Sequence, residues 1–210
     1  MFNELGEPNV TTSAIADELH ISPGNLYYHF RNKDDILNAL LEDFEREIDQ
    51  VLGAAERRDP TVDDAWLVLH LLFETIWKHR FIYRDLNDLL SRNRRLETHF
   101  KRLLARKTDA ARALCTGLAQ RGEMAASERE IETLATNMVV VATYWLSFEY
   151  VSNPRQVVDA EYQSAVMARG AYQVLALTGA YLTGPSRTML QKLAQKYLPD
   201  NEPARAGAAR

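Results

Sequence analysis

One cysteine, Cys115, stands among the 210 residues, so no intrachain disulfide can form and neither a paired-thiol redox motif nor a zinc-binding cysteine cluster is available. That scarcity fits a reducing cytoplasm. Long apolar runs are missing too. The most apolar stretch, Met138 to Leu146, is too short to span a bilayer, and the start carries no basic-then-apolar leader pattern, so no membrane is implied. There is no Gly-rich phosphate loop, no G-x-S-x-G elbow and no partner base near Cys115, which leaves catalysis unsupported. His70 and Glu74 are one helical turn apart, but a metal needs more than two ligands, and His20, His29, His79 and His99 are scattered. No metal or cofactor is expected.

Positive charge is scarce where a nucleic-acid binder would use it. Residues 1–50 hold three basic residues (Arg31, Lys33, Arg46) against eleven acidic ones, a net of -8 within a chain of net -4. Most of those acids (Glu42, Asp43, Glu45, Glu47, Asp49) fall late in the segment, whereas Val10 to Lys33 balances two acids against two bases. Any grip on phosphate should therefore be light, with polar and backbone contacts carrying the specificity.

The chain has a 46% hydrophobic content, enough for a sizeable core divided between a small first domain and a larger second one. Val10 to Ile36 reads as two short helices, a tight turn and the start of a third helix. Thr11 or Thr12 can cap the first, in which Ile15 and Leu19 would form a buried face beside the small Ala16. Ser22 is a second N-cap, Pro23 takes the first helical position, and Ile21 can staple onto Leu26. Leu26 and Phe30 would face inward and Gly24, Asn25, Tyr27 and Tyr28 outward. Asn32 can cap the third helix, with Asp34 and Asp35 in its positive first turn.

The outward set suits DNA. Gly24 permits close backbone approach, and the Asn25 amide can pair bidentately with adenine. The tyrosines offer hydroxyls to phosphate and rings to thymine methyls, and Lys33 would add a phosphate contact.

The run TTSAIADELHISPGNLYYHFRNKDDIL resembles the DNA-binding domain of TetR-family transcriptional regulators, with LYYHFRNK as its hallmark. The resemblance implies that Thr12, Ser13, Ser22, Gly24, Asn25, Tyr27, Tyr28, His29 and Lys33 occupy DNA-contacting positions. The start, MFNELGEPN, resembles only the last turn of the family's first helix and the loop after it. FIYRDLNDLLSRNRRL is similar to a branch of the family whose effectors are largely unassigned.

The implied architecture is all-α: a helix-turn-helix domain over 1–44, including the start of a long linker helix, a helical effector-binding and dimerisation domain over 45–198, and a disordered tail over 199–210. The linker helix should run from Lys33 to about Glu56. Thr61 to His79 has apolar residues on nearly every side, as in a helix enclosed by others. A short helix over Phe81–Leu90 and a long amphipathic one over Arg95–Arg121, ended by Gly122, follow. Ser127 to Glu130 is a capping box opening a helix to about Ser152, then come Ala160–Leu182 and Ser186–Leu198. No strand pattern or repeat appears.

Ile131, Leu134, Met138, Val141, Trp145 and Phe148 form a heptad-like seam, answered by Ala165, Ala168, Tyr172, Leu175, Gly179 and Leu182. This seam either packs inside one subunit or joins two. A palindromic operator needs two readers about one DNA turn apart, which favours a homodimer with Ile131, Leu134, Val141 and the second set at its interface. Trp66, His70, Phe73 and Trp77 form one helical stripe. With Tyr83, Phe100, Leu103, Asn137, Met138, Tyr144, Trp145 and Phe148 they are candidates to line a pocket for a small, apolar or aromatic effector, or else simply core.

The reading is thus a ligand-responsive regulator, most readily a repressor, that binds double-stranded operator DNA and is released by its effector. The alternatives are a helical ligand-binding or interaction protein that has lost DNA binding, and a helical enzyme or metal protein built around His70 and Glu74.

Overall fold

The computed structural model describes residues 1–55, 61–154 and 160–197. The helices are α1 (Phe2–Leu5), α2 (Thr12–Glu18), α3 (Pro23–His29), α4 (Lys33–Ala55), α5 (Val62–Lys78), α6 (Arg80–Arg84), α7 (Leu86–Arg92), α8 (Arg94–Gln120), α9 (Glu128–Ser152), α10 (Ala160–Ala176) and α11 (Gly184–Tyr197), with a 3-10 turn at Glu7–Asn9. Among the described residues the only β feature is an isolated bridge between Met124 and Leu182. The architecture is all-α, as expected. The expected disordered tail and the expected end of the linker helix at about Glu56 lie outside the described residues.

Capping chemistry sets most boundaries. Thr11 Oγ1 accepts from the Ala14 N–H at 3.1 Å, Ser22 Oγ from Asn25 at 3.1 Å and Asn32 Oδ1 from Asp35 at 2.8 Å. Ser127 and Glu130 close the expected capping box, and Thr61 with Asp64 forms a second one. Gly122, at φ 72°, ends the long helix while Glu123 N–H donates back to Leu118 O.

Four expectations on the elements need correction. Leu19 is 58% exposed, because α2 stops at Glu18 and Leu19 caps it, leaving Ala16 as that helix's buried residue. Phe81–Leu90 is two helices, broken at Asp85, whose carboxylate accepts from the Glu7 N–H at 3.1 Å. Helix α10 stops at Ala176, not Leu182. Thr178 Oγ1 donates to Leu175 O, and the chain then turns so that the Ala125 N–H donates to Tyr181 O at 2.8 Å. Finally, α5 is not enclosed all round, since Leu67 and Leu71 are exposed.

The acids of α4 are largely paired with α8 and with Lys78 and His79 at the end of α5. Glu42 pairs with Arg95, Glu45 with His99 at 2.6 Å and Asp49 with Arg106 at 2.9 Å, all on α8, while Glu47 reaches Lys78 at 2.6 Å and His79 at 3.4 Å. Much of the negative charge of residues 1–50 therefore fastens α4 to its neighbours. Beneath these pairs Ile36, Leu37, Leu41, Phe44, Ile48 and Leu52 are buried, each contributing about 1.5–3 kcal/mol by leaving water.

The first ten residues dock on α6 and α7. Phe2 stacks near Phe81 with ring centroids 5.3 Å apart, and Asn3 brackets the start of α6 by donating to Lys78 O at 2.8 Å and accepting from the Phe81 N–H at 3.1 Å. Glu7 is fully buried and pairs with both Lys33, at 2.8 Å, and Arg92.

Helices α9 and α10 lock through Trp145, whose Nε1–H donates to Val166 O at 2.9 Å, and through the buried Glu149, held by Arg169 and the Tyr162 hydroxyl. Gly170 lets them close up. A Cβ there would come within 2.6 Å of Trp145 and 2.7 Å of Phe73.

Candidate DNA-reading face and ligand cavity

Helix α3 presents the expected outward face. Ser22, Gly24, Asn25, Tyr27, Tyr28 and His29 are all exposed, Tyr28 at 84%, while Leu26 is buried beneath them. From α2, Ser13 is exposed and Thr12 is half-buried with its hydroxyl 3.0 Å from the Tyr27 hydroxyl, which ties the two helices together at the surface. Tyr28 and His29 meet edge to face at 5.1 Å. His20, at φ 55°, makes the turn between α2 and α3.

Lys33 is placed differently from the expectation. Its ammonium donates to the carbonyls of Glu7 and Val10, both at 3.1 Å, and pairs with the buried Glu7 carboxylate. A buried carboxylate outcompetes solvent for that cation, so Lys33 holds the N-terminal segment and offers no free charge to phosphate. Sequence reasoning passed over Arg31. Its side chain is exposed just past α3 and forms no ion pair with any described residue, which makes it the free cation nearest the reading face. Its place two residues beyond His29 was the available signal.

The expected dimer seam faces the other way. Ile131, Leu134, Met138 and Trp145 are buried within the chain where α9 packs on α8 and α10, with Val141 half-buried. Leu175 and Leu182 are buried as well, and Gly179 is half-buried in the turn after α10. The apolar stripe left at the surface of α9 is Val140, Tyr144, Phe148 and Val151, exposed by 50%, 48%, 60% and 79%. On α10 the surface keeps Ala165, with Ala168 and Tyr172 half-buried. The heptad-like pattern identified an interhelical seam but could not say which chain supplied its partner.

A cavity of about 840 Å3 opens between α5, α8 and α9, with Val51 and Leu52 of α4 and Val174 of α10 completing its wall. Leu67, Leu71 and Leu72 line one side and Lys107, Ala110, Leu114 and Thr116 the other. Of the residues expected around an effector, Met138 lines this cavity and the rest do not. Phe73, Tyr83, Phe100, Leu103 and Trp145 are buried core, Tyr83 lying edge to face with both Phe44 and Phe100. Asn137, Tyr144 and Phe148 are exposed on the outer side of α9. Trp66 stacks on His70 at 6.1 Å, His70 is 3.5 Å from Glu74, and Trp77 carries the Arg80 guanidinium 5.0 Å from its ring centroid. Among the described residues no group of three or more His, Cys, Asp or Glu is placed to hold a metal. No helix among them is long and apolar enough to cross a membrane.

Lys107, missed by sequence reasoning, is 3% exposed, and its ammonium donates to the Tyr83 hydroxyl at 2.8 Å. Burial pushes its pKa down to about 7 and the Tyr83 hydroxyl's upward. The signal was its spacing, four residues after Leu103 on the same apolar stripe.

Two family models match the chain: one described as bacterial regulatory proteins of the tetR family over residues 1–40, the other as a bacterial transcriptional repressor, TetR, over residues 43–190. The crystal structure of a TetR-family transcriptional regulator from Marinobacter aquaeolei VT8 is 35% identical, covering 94% of this chain and 93% of that one, with a TM-score of 0.84. A TetR transcription regulator from Haloarcula marismortui, 16% identical, shares the fold with a TM-score of 0.65 over 87% of this chain and 92% of its own. The nucleoid occlusion factor SlmA of Shewanella frigidimarina is 35% identical over 114 residues, 47% of this chain and 57% of that protein. The chain thus matches only a little over half the length of that curated relative.

A helix-turn-helix with an outward polar face, joined by one long helix to a helical domain holding a cavity, defines a DNA-binding transcriptional regulator. The chain belongs to the TetR family of bacterial regulators.

Proposed function

We propose that this protein is a ligand-responsive repressor that binds a palindromic operator as a homodimer and leaves it when a small, largely apolar effector enters the second domain. The observation that carries this reading is the reach of α4. It begins four residues after the end of α3, runs to Ala55, and lends Val51 and Leu52 to the cavity wall. A ligand in the cavity therefore touches the helix from which the reading head hangs.

The DNA side is supported by the exposed Asn25, Tyr27 and Tyr28, which suit base-edge and phosphate contacts. The exposed Val140, Tyr144, Phe148 and Val151 of α9 are spaced to pair with a second copy. With Ala165, Ala168 and Tyr172 they supply the α9 and α10 surface a four-helix interface needs. The effector acts only through its unequal affinity for the two half-site spacings, a coupling typically of about 1–3 kcal/mol.

The test is retardation of the DNA upstream of the protein's own gene. A specific complex that weakens with salt and shows two protomers per operator is the expected result. The absence of any specific complex at micromolar protein would leave a helical ligand-binding protein without regulatory function.

A further inference from the structure

Among the described residues Lys107 has no counter-charge. Its side chain is 3% exposed and forms part of the cavity wall, and among the described residues no carboxylate lies within ion-pair distance of its ammonium. Among the described residues its ammonium has one hydrogen-bond partner, the hydroxyl of Tyr83, whose ring centroid is 5.2 Å away. An ammonium has three donors, so two find no partner among the described residues.

The other charged groups on that wall are occupied. Arg112 pairs with Asp109 and with Glu132, both at 2.6 Å, and Asp64 closes the capping box of α5. A lysine in so apolar a place is costly unless it sheds its proton or meets an anion. With burial lowering its pKa to about 7, either state is within reach at neutral pH.

We propose that the cavity between α5, α8 and α9 receives an apolar-bodied organic carboxylate, whose headgroup is paired by Lys107 and whose body is covered by Leu67, Leu71, Leu114 and Met138. Leucines and alanines make a good wall for any hydrocarbon, and they select nothing about its headgroup. A single buried cation does select, because it gains a charge-assisted bond from a carboxylate and only an ordinary one from an alcohol. The inference rests on the regulator reading for its biological role, but its chemistry can be tested alone.

Isothermal titration calorimetry on the full chain would compare octanoate with 1-octanol, two probes of equal chain length that differ at the headgroup. The protein should bind octanoate at least tenfold more tightly. In Lys107→Met that ratio should collapse towards one, and Lys107→Gln reads out the same loss should the methionine variant not fold. Tyr83→Phe, which removes the hydroxyl that the lysine donates to, should keep the ratio. Equal affinity of the unaltered protein for both probes, binding of neither, or a preference that survives loss of Lys107 would overturn the proposal. Operator retardation by the unaltered protein without octanoate is a separate readout, so its failure would count against the regulator reading and leave the carboxylate site standing.

Discussion

A methyl group added at Gly24 would meet nothing nearer than Ser22 Oγ at 3.9 Å, so packing within the chain does not explain that glycine. The proposed docking on DNA, which brings a backbone close to this position, would. Gly24→Ala should fold as well as the parent or better, by up to about 1 kcal/mol from helix propensity, yet bind operator more weakly. A thermal melt and fluorescence anisotropy measure the two effects separately, and unchanged operator affinity would remove the close-approach role.

Lys107 makes a second prediction at this scale. Its pKa is pushed down from 10.5 to about 7 by burial, so between those values the unfolded chain holds a proton that the folded chain has released. Stability must then rise with pH across that window, by at most about 1.4 kcal/mol per unit, and the full penalty applies below it. The hydroxyl facing the lysine, Tyr83 on α6, stays neutral because burial raises its pKa. Cys115, pushed up to about 11, acts in the opposite sense once the pH passes 9. Urea unfolding between pH 7 and 9 should therefore show a positive slope that Lys107→Met flattens. Equal slopes in the two proteins would mean that the ammonium is hydrated.

Among the elements, the close passage of α10 over α5 and α9 hangs on Gly170. A Cβ there would meet Trp145 and Phe73, both held by surrounding core, so Gly170→Ala should cost about 1–3 kcal/mol despite alanine's better helix propensity. Chemical denaturation measures this directly, and a stabilised variant would show that the rings can step aside. The Glu7, Lys33 and Arg92 cluster joins the N-terminal segment, α4 and α7. Lys33→Met should lower stability by about 2 kcal/mol, because Arg92 alone remains on a buried carboxylate, without altering the salt dependence of operator binding. A salt slope reduced by about one unit would instead return Lys33 to the phosphate backbone.

Elements announced by local chemistry were legible in the sequence. Ser22 with Pro23, Asn32, and Ser127 with Glu130 marked helix starts that the structure keeps, because a cap is satisfied within one turn. What depended on distant partners was not legible. The carboxylate of Asp85 is tied to the Glu7 backbone, and the bridge from Met124 to Leu182 ends the preceding helix early. The seam of Ile131, Leu134, Met138 and Trp145 was visible as a stripe, though its partner was not. Of the aromatic residues expected around a ligand, Phe73, Tyr83, Phe100 and Trp145 are buried core, Tyr83 lying against Phe44 and Phe100, whereas Tyr144 and Phe148 face outward and smaller leucines and alanines border the open space.

For the whole molecule, the proposed dimer is tested at the exposed stripe on α9. Phe148→Glu adds a charge to a residue already 60% exposed, so the monomer should fold normally while the pairing of two copies fails. Sedimentation should show one protomer, and operator affinity should fall by orders of magnitude as the second half-site is lost. A variant that remains dimeric would move the interface elsewhere on the protein.

The pairs that fasten α4 to α8 reach further than the fold. Arg95 is 55% exposed and Arg106 42%, so dissolved salt can screen both contacts. Under the proposed function ionic strength acts at two places, thinning the attraction to DNA and loosening the helix from which the reading head hangs. A plot of operator affinity against salt need not be straight: its curvature would carry information about the mechanical slack of the protein.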